Sequence, residues 1–246
     1  DVTRTAATST ANDFDGNEAA FGIIDGGITQ PNETEYLKTG QMSSLNITGT
    51  SITVGVWVYP IGQDFDQTII IKAITDGAFG DPFYQYGFEL DANTTDAFAF
   101  ESSDSTTLFE CLIDGPMDAT YNNWQYIAFT YDGATVRGYK NGMQQGTCSQ
   151  THSIASRTSS VYLGAGSNDT QNLISGEYDE VRISNAVRSP DWIQAEYRYG
   201  KASSTTHTYG AEENVPVTAI SRNSTSTIFK SDTIFKSNVI LNFLFI

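Results

Sequence analysis

The chain has 246 residues, 39% of them hydrophobic and 12% aromatic, enough for one sizeable core, and all-β sandwiches of this length often form a single domain. Against 29 acidic residues stand 13 basic ones, a formal charge of -16 at pH 7. Such a surface repels phosphate backbones and anionic lipid heads, so it argues against nucleic acid and membrane surfaces as partners and favours divalent cations and neutral ligands such as glycans; solubility in a salty habitat accounts for the acidity equally well.

Short apolar alternations separated by turn residues run through most of the chain, the pattern of a sandwich. Ile52, Val54, Val56 and Val58 alternate along residues 51–60, with Trp57 and Tyr59 on the other face. Further strands are predicted over 67–74, 84–91, 97–101 and 107–113. A hairpin follows, 124–131 with 135–140, around Asp132-Gly133, and Asn141-Gly142 turns the chain into 143–149. Asp-Gly and Asn-Gly supply the positive φ angles of tight turns. Strands over 160–165 and 176–184 complete the set. One helix is predicted from Ser189 as N-cap and Pro190 as first helical residue, with Asp191 at the positive end of the dipole and Gly200 ending the run.

The two cysteines, Cys111 and Cys148, lie near the ends of strands flanking the 124–140 hairpin. Adjacency across the sheet would make them one disulfide, and two buried free thiols are the alternative. Asp1 in place of Met suggests a processed or excised chain; no signal peptide is visible and no apolar run has membrane-spanning length. Asn-x-Ser/Thr sequons at Asn32, Asn46, Asn93, Asn168 and Asn223 point weakly to an extracellular or cell-surface location.

The order of several segments carries a resemblance. Asp13-Phe14-Asp15-Gly16 comes first, then residues 44–54 running into Trp57-Val58-Tyr59-Pro60, then Trp124 through Gly133 and Tyr139-Lys140-Asn141-Gly142. Gly176 through Ser184 and Arg188-Ser189-Pro190-Asp191-Trp192 close the series. Over about residues 10–213 the chain resembles the laminin G-like domains of the concanavalin A-like superfamily. The resemblance implies an all-β fold, a two-sheet antiparallel jelly-roll sandwich with a short C-terminal helix, in a secreted, non-catalytic binding or adhesion module. An added stretch, about 17–34, departs from the family and reads as a long surface loop.

The same resemblance implies a structural calcium held by Asp15, the Gly16 carbonyl and Asp179, hard oxygen ligands of the kind calcium takes. The alternative has Asp13 and Asp15 capping a turn and Asp179 pairing with Arg182 or a backbone amide. For a glycan or polysaccharide ligand the candidates are Asp81, Phe83, Tyr84 and Tyr86, with the loop Ser167-Asn168-Asp169, because sugars stack on aromatic faces and bond short polar groups. Aromatics in sandwich strands also serve as core.

Catalysis is not expected. Some hydrolases of this superfold carry acids spaced Glu-x-Asp-x-x-Glu on one strand; here Glu89-Leu90-Asp91 begins that spacing, but Thr94 stands at its third acid. His152 and His207 lie in Ser/Thr-rich loops without metal-ligand spacing and with no legible nucleophile partner. Beyond residue 213 the family pattern stops. The tail, 214–246, holds a repeated hexad, 227–232 and 233–238, and an apolar end; residues 227–246 are expected to pair as a strand with another copy or a neighbouring domain, a disordered end left by truncation being the alternative. That tail carries the other functional reading, a structural subunit of an extracellular assembly (filament, sheath or virion surface) linked through terminal strand exchange.

Overall fold

Among the described residues, β-branched and aromatic residues alternating with polar ones fold into thirteen strands, a 3-10 turn (Ser43–Leu45) and one α-helix. The computed structural model describes residues 19–20, 23, 27–30, 36–62, 66–76, 84–91, 95–166 and 176–203. The strands are β1 (Ala19–Ala20), β2 (Gly27–Gln30), β3 (Leu37–Lys38), β4 (Ile52–Pro60), β5 (Gln67–Ala73), β6 (Tyr84–Asp91) and β7 (Ala97–Ser103). They continue as β8 (Leu108–Leu112), β9 (Gln125–Tyr131), β10 (Thr135–Lys140), β11 (Met143–Ser149), β12 (Val161–Leu163) and β13 (Gly176–Ser184), followed by helix α1 (Pro190–Ser203).

Two antiparallel sheets result: seven strands in the order β1-β2-β13-β4-β9-β10-β11 and six in the order β3-β12-β5-β6-β7-β8. Their facing sides bury Val54, Val56 and Val58 of β4 and Phe129 of β9 against Phe88 and Phe100, whose rings lie 5.4 and 5.7 Å from that of Phe129. This is the sandwich that the alternation implied, with the jelly-roll form that the resemblance implied. Asn141 and Gly142 both take positive φ, 53° and 78°, in the turn from β10 to β11. At the β9–β10 turn, Asp132 instead closes a three-residue loop by accepting the N–H groups of Ala134 and Thr135 at 3.0 and 2.8 Å.

Cys111 and Cys148 form a disulfide with Cα atoms 5.6 Å apart. They sit on β8 and β11, the edge strands of opposite sheets, so the bridge ties sheet to sheet and not strand to strand within one.

The helix starts where expected, Ser189 Oγ accepting the Trp192 N–H at 3.2 Å. It does not stop at Gly200 but runs on to Ser203. Gly200 is there for closeness: a Cβ would stand 2.4 Å from Trp57 Nε1. Trp57, on the outer side of β4, stacks on Tyr197 at 5.5 Å and packs with Tyr126, Ala128, Tyr139 and Ile193. Propensity alone would have Gly200→Ala stabilise the helix by about 1 kcal/mol. The clash with a buried indole reverses the sign, and thermal unfolding should show a net loss of about 1–3 kcal/mol; an unchanged or raised melting temperature would show that the helix shifts freely over Trp57.

Candidate functional site

Strand register assembles a row of side chains across the outer face of the six-stranded sheet. Lys38 of β3 is paired with Tyr162 of β12, Tyr162 with Ile71 of β5, Ile71 with Gly87 of β6, Gly87 with Glu101 of β7, and Glu101 with Glu110 of β8. Lys38 Nζ stands 4.8 Å above the Tyr162 ring. Gly87 is the gap in the row, and a Cβ there would lie 2.2 Å from the Ile70 carbonyl oxygen. One rung along, Thr68 of β5 faces Glu89 of β6. Three glutamates on three adjacent strands therefore share one face, while Phe88, Phe100 and Cys111 between them point into the core.

Burial is graded across this group. Glu101 is 5% exposed and Thr68 fully buried, Glu89 is half-buried, and Glu110 is exposed at the sheet edge. Neither Glu101 Oε2 nor Thr68 Oγ1 has a hydrogen-bond partner, and among the described residues no lysine or arginine pairs with any of the three glutamates. Burial pushes the Glu89 carboxyl up to about 8, helped by the charges of Asp66, Glu110 and Asp91. Burial likewise holds Glu101 well above the carboxylate range, with Glu89, Glu110 and Asp66 adding to it. Glu110 is raised for the same reason, burial first and then Asp91 and Asp66. Uncompensated carboxyls in a poorly solvated place keep their protons, which makes them donors as well as acceptors.

On the core side of β7, His152 is held between two rings, stacked on Phe109 at 3.9 Å and on Tyr131 at 5.0 Å. Its Nε2 is 3.0 Å from Ser102 Oγ, a hydroxyl–imidazole pair not legible in the sequence. Ser102 is fully buried, and Tyr131 Oη both accepts the His152 N–H at 2.9 Å and donates to the His152 carbonyl at 2.7 Å. The arrangement ties the 150–160 segment to β7 and β9. Burial lowers the imidazole, against the opposing charge of Asp104.

Asp179 lies at a bulge in β13, where the pairing with β4 shifts between Asp179 and Arg182. Glu180 takes the left-handed conformation there, φ 50°. The Asp179 carboxylate is 4% exposed and accepts the Glu180 N–H at 2.7 Å. Arg182 pairs with Glu180 at 2.5 Å and with Glu196 of α1, not with Asp179. Asp15 and Gly16, the other two expected calcium ligands, lie outside the described residues, as do Asp81, Phe83, Asn168, Asp169, Thr94, His207 and the tail. Tyr84 is 3% exposed and packs with Tyr36, Ile71, Ala73 and Tyr162, and Tyr86 is fully buried with its hydroxyl donating to the Leu45 carbonyl at 2.6 Å. Both rings serve packing, so neither offers a stacking face. No helix among the described residues is long and apolar enough to cross a membrane.

Similarity to known proteins agrees with the architecture. A laminin G-type model of the concanavalin A-like lectin/glucanases superfamily matches residues 31–194. No curated protein sequence matches the chain. Domain 4 of AbnA, an extracellular arabinanase from Geobacillus stearothermophilus solved in complex with arabinotriose, superposes with a TM-score of 0.56 at 18% identity, covering 72% of this chain and 79% of that one. The binding domain of Paraclostridial Mosquitocidal Protein 1 gives 0.55 at 12% identity, covering 74% of this chain and 46% of that one. The botulinum neurotoxin serotype G binding domain gives 0.53 at 13%, covering 76% of this chain and 48% of that one. This chain thus spans just under half the length of either toxin domain, and identities this low speak to fold.

Proposed function

The chain belongs to the concanavalin A-like lectin/glucanases superfamily, and from that premise we propose that it is a non-catalytic carbohydrate-binding module working outside the cell. The observation that carries this reading is the pair of carboxyls that the outer face of the six-stranded sheet leaves within reach of a ligand, half-buried Glu89 and exposed Glu110, without counter-charge among the described residues. A face used only for packing has no need of them, whereas neutral hydroxyl-bearing ligands do. Binding of arabinotriose by the arabinanase domain supports the ligand class. The disulfide supports an oxidising compartment.

Two features argue against hydrolysis. Retaining chemistry needs an ionised nucleophile open to the sugar ring, and Glu101 is buried and held protonated. In the Ser102–His152 pair the hydroxyl is fully buried. Calorimetry against arabino-, xylo-, cello- and manno-oligosaccharides should show binding with no reducing sugar released. Silence across the panel, or sugar release abolished by Glu89→Gln, would sink the reading.

The module also takes a structural calcium in this reading, through Asp15, the Gly16 carbonyl and Asp179. The chemistry of Asp179 suits it: a buried carboxylate at a strand bulge, with the nearby Arg182 engaged elsewhere. An ion bound only by the native state stabilises by about 2.7 kcal/mol at a hundredfold excess over its Kd. Millimolar calcium should therefore raise the melting temperature and Asp179→Asn should abolish the rise; indifference to both calcium and EDTA would remove the ion from the account.

A further inference from the structure

We propose that Tyr59, Trp124 and Glu177 form a stacking platform for a short neutral oligosaccharide on the outer face of the seven-stranded sheet. The proposal rests on the carbohydrate-binding reading and adds a place where sugar rings lie, on the sheet opposite to that of Glu89 and Glu110.

The platform is an opening in an otherwise closed face. Tyr59 is the one residue of β4 that is not buried, and Glu177 is one of two such residues in β13. The other, Arg182, is taken up by Glu180 and Glu196. Strand register sets Glu177 directly opposite Tyr59, so the two openings coincide on one side of the sheet. Helix α1 packs on this side farther back along β4. The Arg188 N–H just before it donates to Thr53 Oγ1 at 3.0 Å, and Gly200 near its end lies against Trp57. Tyr59 is two residues past Trp57 and so on the same side of the strand, beyond the helix. Across β4 from Glu177, Trp124 at the lead into β9 stands edge-on to Tyr59, ring centroids 5.8 Å apart. It also packs against the Trp57 cluster, which holds the indole in place and leaves it half-exposed.

The chemistry of these groups names the occupant. Among the described residues none hydrogen-bonds to the Tyr59 hydroxyl, the Trp124 indole N–H or the Glu177 carboxyl, and burial alone raises that carboxyl above its ordinary value. Two donors and an acceptor therefore stand open beside two aromatic rings. Exposed Asn122 and Asn123 come just before Trp124, and the Asn122 N–H, donating to the Pro60 carbonyl at 2.9 Å, ties that turn to the end of β4. Sugar rings offer apolar C–H faces with hydroxyls around them, which suits rings flanked by polar groups. β13, β4 and β9 are neighbours in the sheet, and two strand spacings put about 10 Å between Glu177 and Trp124, the span of a di- or trisaccharide. No lysine or arginine among the described residues pairs with Glu177, and the chain carries a formal charge of -16. An anionic sugar is therefore repelled and a neutral one admitted.

The test reads Trp124 directly. Limited N-bromosuccinimide oxidation of the full chain, mapped by peptide mass, is run with and without each member of the arabino-, xylo-, cello- and manno-oligosaccharide panel. A bound sugar should slow oxidation of Trp124 at least tenfold and leave half-exposed Trp192 reacting as in the free protein. Tyr59→Ala should raise the sugar concentration needed for protection at least tenfold, and Glu177→Gln several-fold, with melting temperatures certifying that the variants are folded. The wild-type rates decide even where a variant is destabilised. Calorimetric binding with Trp124 oxidised as fast as in the free protein, or protection that ignores both substitutions, overturns the platform and leaves the carbohydrate reading standing. Protection that sets in with protein concentration alone, alongside dimers in light scattering, overturns it in favour of a second copy. Absence of both binding and protection for every sugar overturns the platform and the carbohydrate reading together.

Discussion

Raising the pH from 5 to 8 is expected to weaken the fold itself, without any ligand, and Glu89→Gln or Glu101→Gln should remove most of that loss. The sign follows from linkage: a carboxyl whose folded pKa is raised binds its proton more tightly in the native state. Its contribution is therefore complete below the unfolded value of 4.5 and disappears as the pH climbs through the folded value, about 8 for Glu89. At 1.36 kcal/mol per unit this amounts to something on the order of 4 kcal/mol, shared among coupled groups. Glu101, displaced in the same direction by burial and by Glu89, adds to the loss. Gln keeps the shape and cannot ionise, so each variant should be markedly more stable than wild type at pH 8 and little different at pH 5. His152 works oppositely. Burial holds its pKa below the ordinary 6.5, so the unfolded chain takes up a proton first and stability falls as the pH drops below 6.5. Wild type should therefore be most stable in mildly acidic solution. Urea unfolding at pH 5, 6.5 and 8 decides the matter; equal wild-type stability at pH 5 and 8 would mean that water or relaxation solvates the glutamates after all.

The same residues show what alternation along a chain makes legible and what it does not. Strand positions follow from period-two patterning and turn chemistry: 84–91, 135–140, 143–149 and 176–184 coincide with β6, β10, β11 and β13, because apolar alternation and Asn-Gly turns act locally. Along the sequence Glu89 begins an acid spacing that Thr94 breaks. Its partners Glu101 and Glu110 lie across two neighbouring strands, and only the register places them together. A signal was present: in consecutive hairpin-linked strands all three glutamates alternate with core residues Phe88, Phe100 and Cys111. Tyr84 illustrates the opposite problem. An aromatic in a strand serves either face, and the choice between platform and packing depends on Tyr36 and Tyr162, which come from distant parts of the chain. Gly200 reads as a helix stop by composition, yet its role is set by Trp57, more than a hundred residues away in sequence.

Removing the Cys111–Cys148 bridge is expected to cost about 4 kcal/mol, from the entropy that a cross-link over a sequence separation of 37 takes out of the unfolded chain. Placement makes the loss matter to the whole fold. Among the described residues β8 is the last strand of one sheet and β11 the last of the other, so each has a hydrogen-bonded strand neighbour there on one side only. Cys111 is fully buried beside Phe100, whereas β11 is mostly exposed, Met143 reaching 65%. Without the bridge, β11 is retained at this edge by its pairing to β10 and by the packing of Ile113 beneath Gly146. Cys111→Ala/Cys148→Ala should therefore unfold at clearly lower urea concentration. Cys111→Ser should be worse than Cys111→Ala when each is combined with Cys148→Ala, because it buries a hydroxyl in the main core. Packing and cross-linking separate experimentally: the wild type reduced by dithiothreitol retains both sulfur atoms, so most of the loss should appear on reduction alone. Hydrogen exchange should then accelerate first in residues 143–149, a strand with no fully buried residue. Two titratable thiols in denaturant without reductant would show that the bridge does not form, and identical urea midpoints for oxidised and reduced protein would show that the two edges hold together without it.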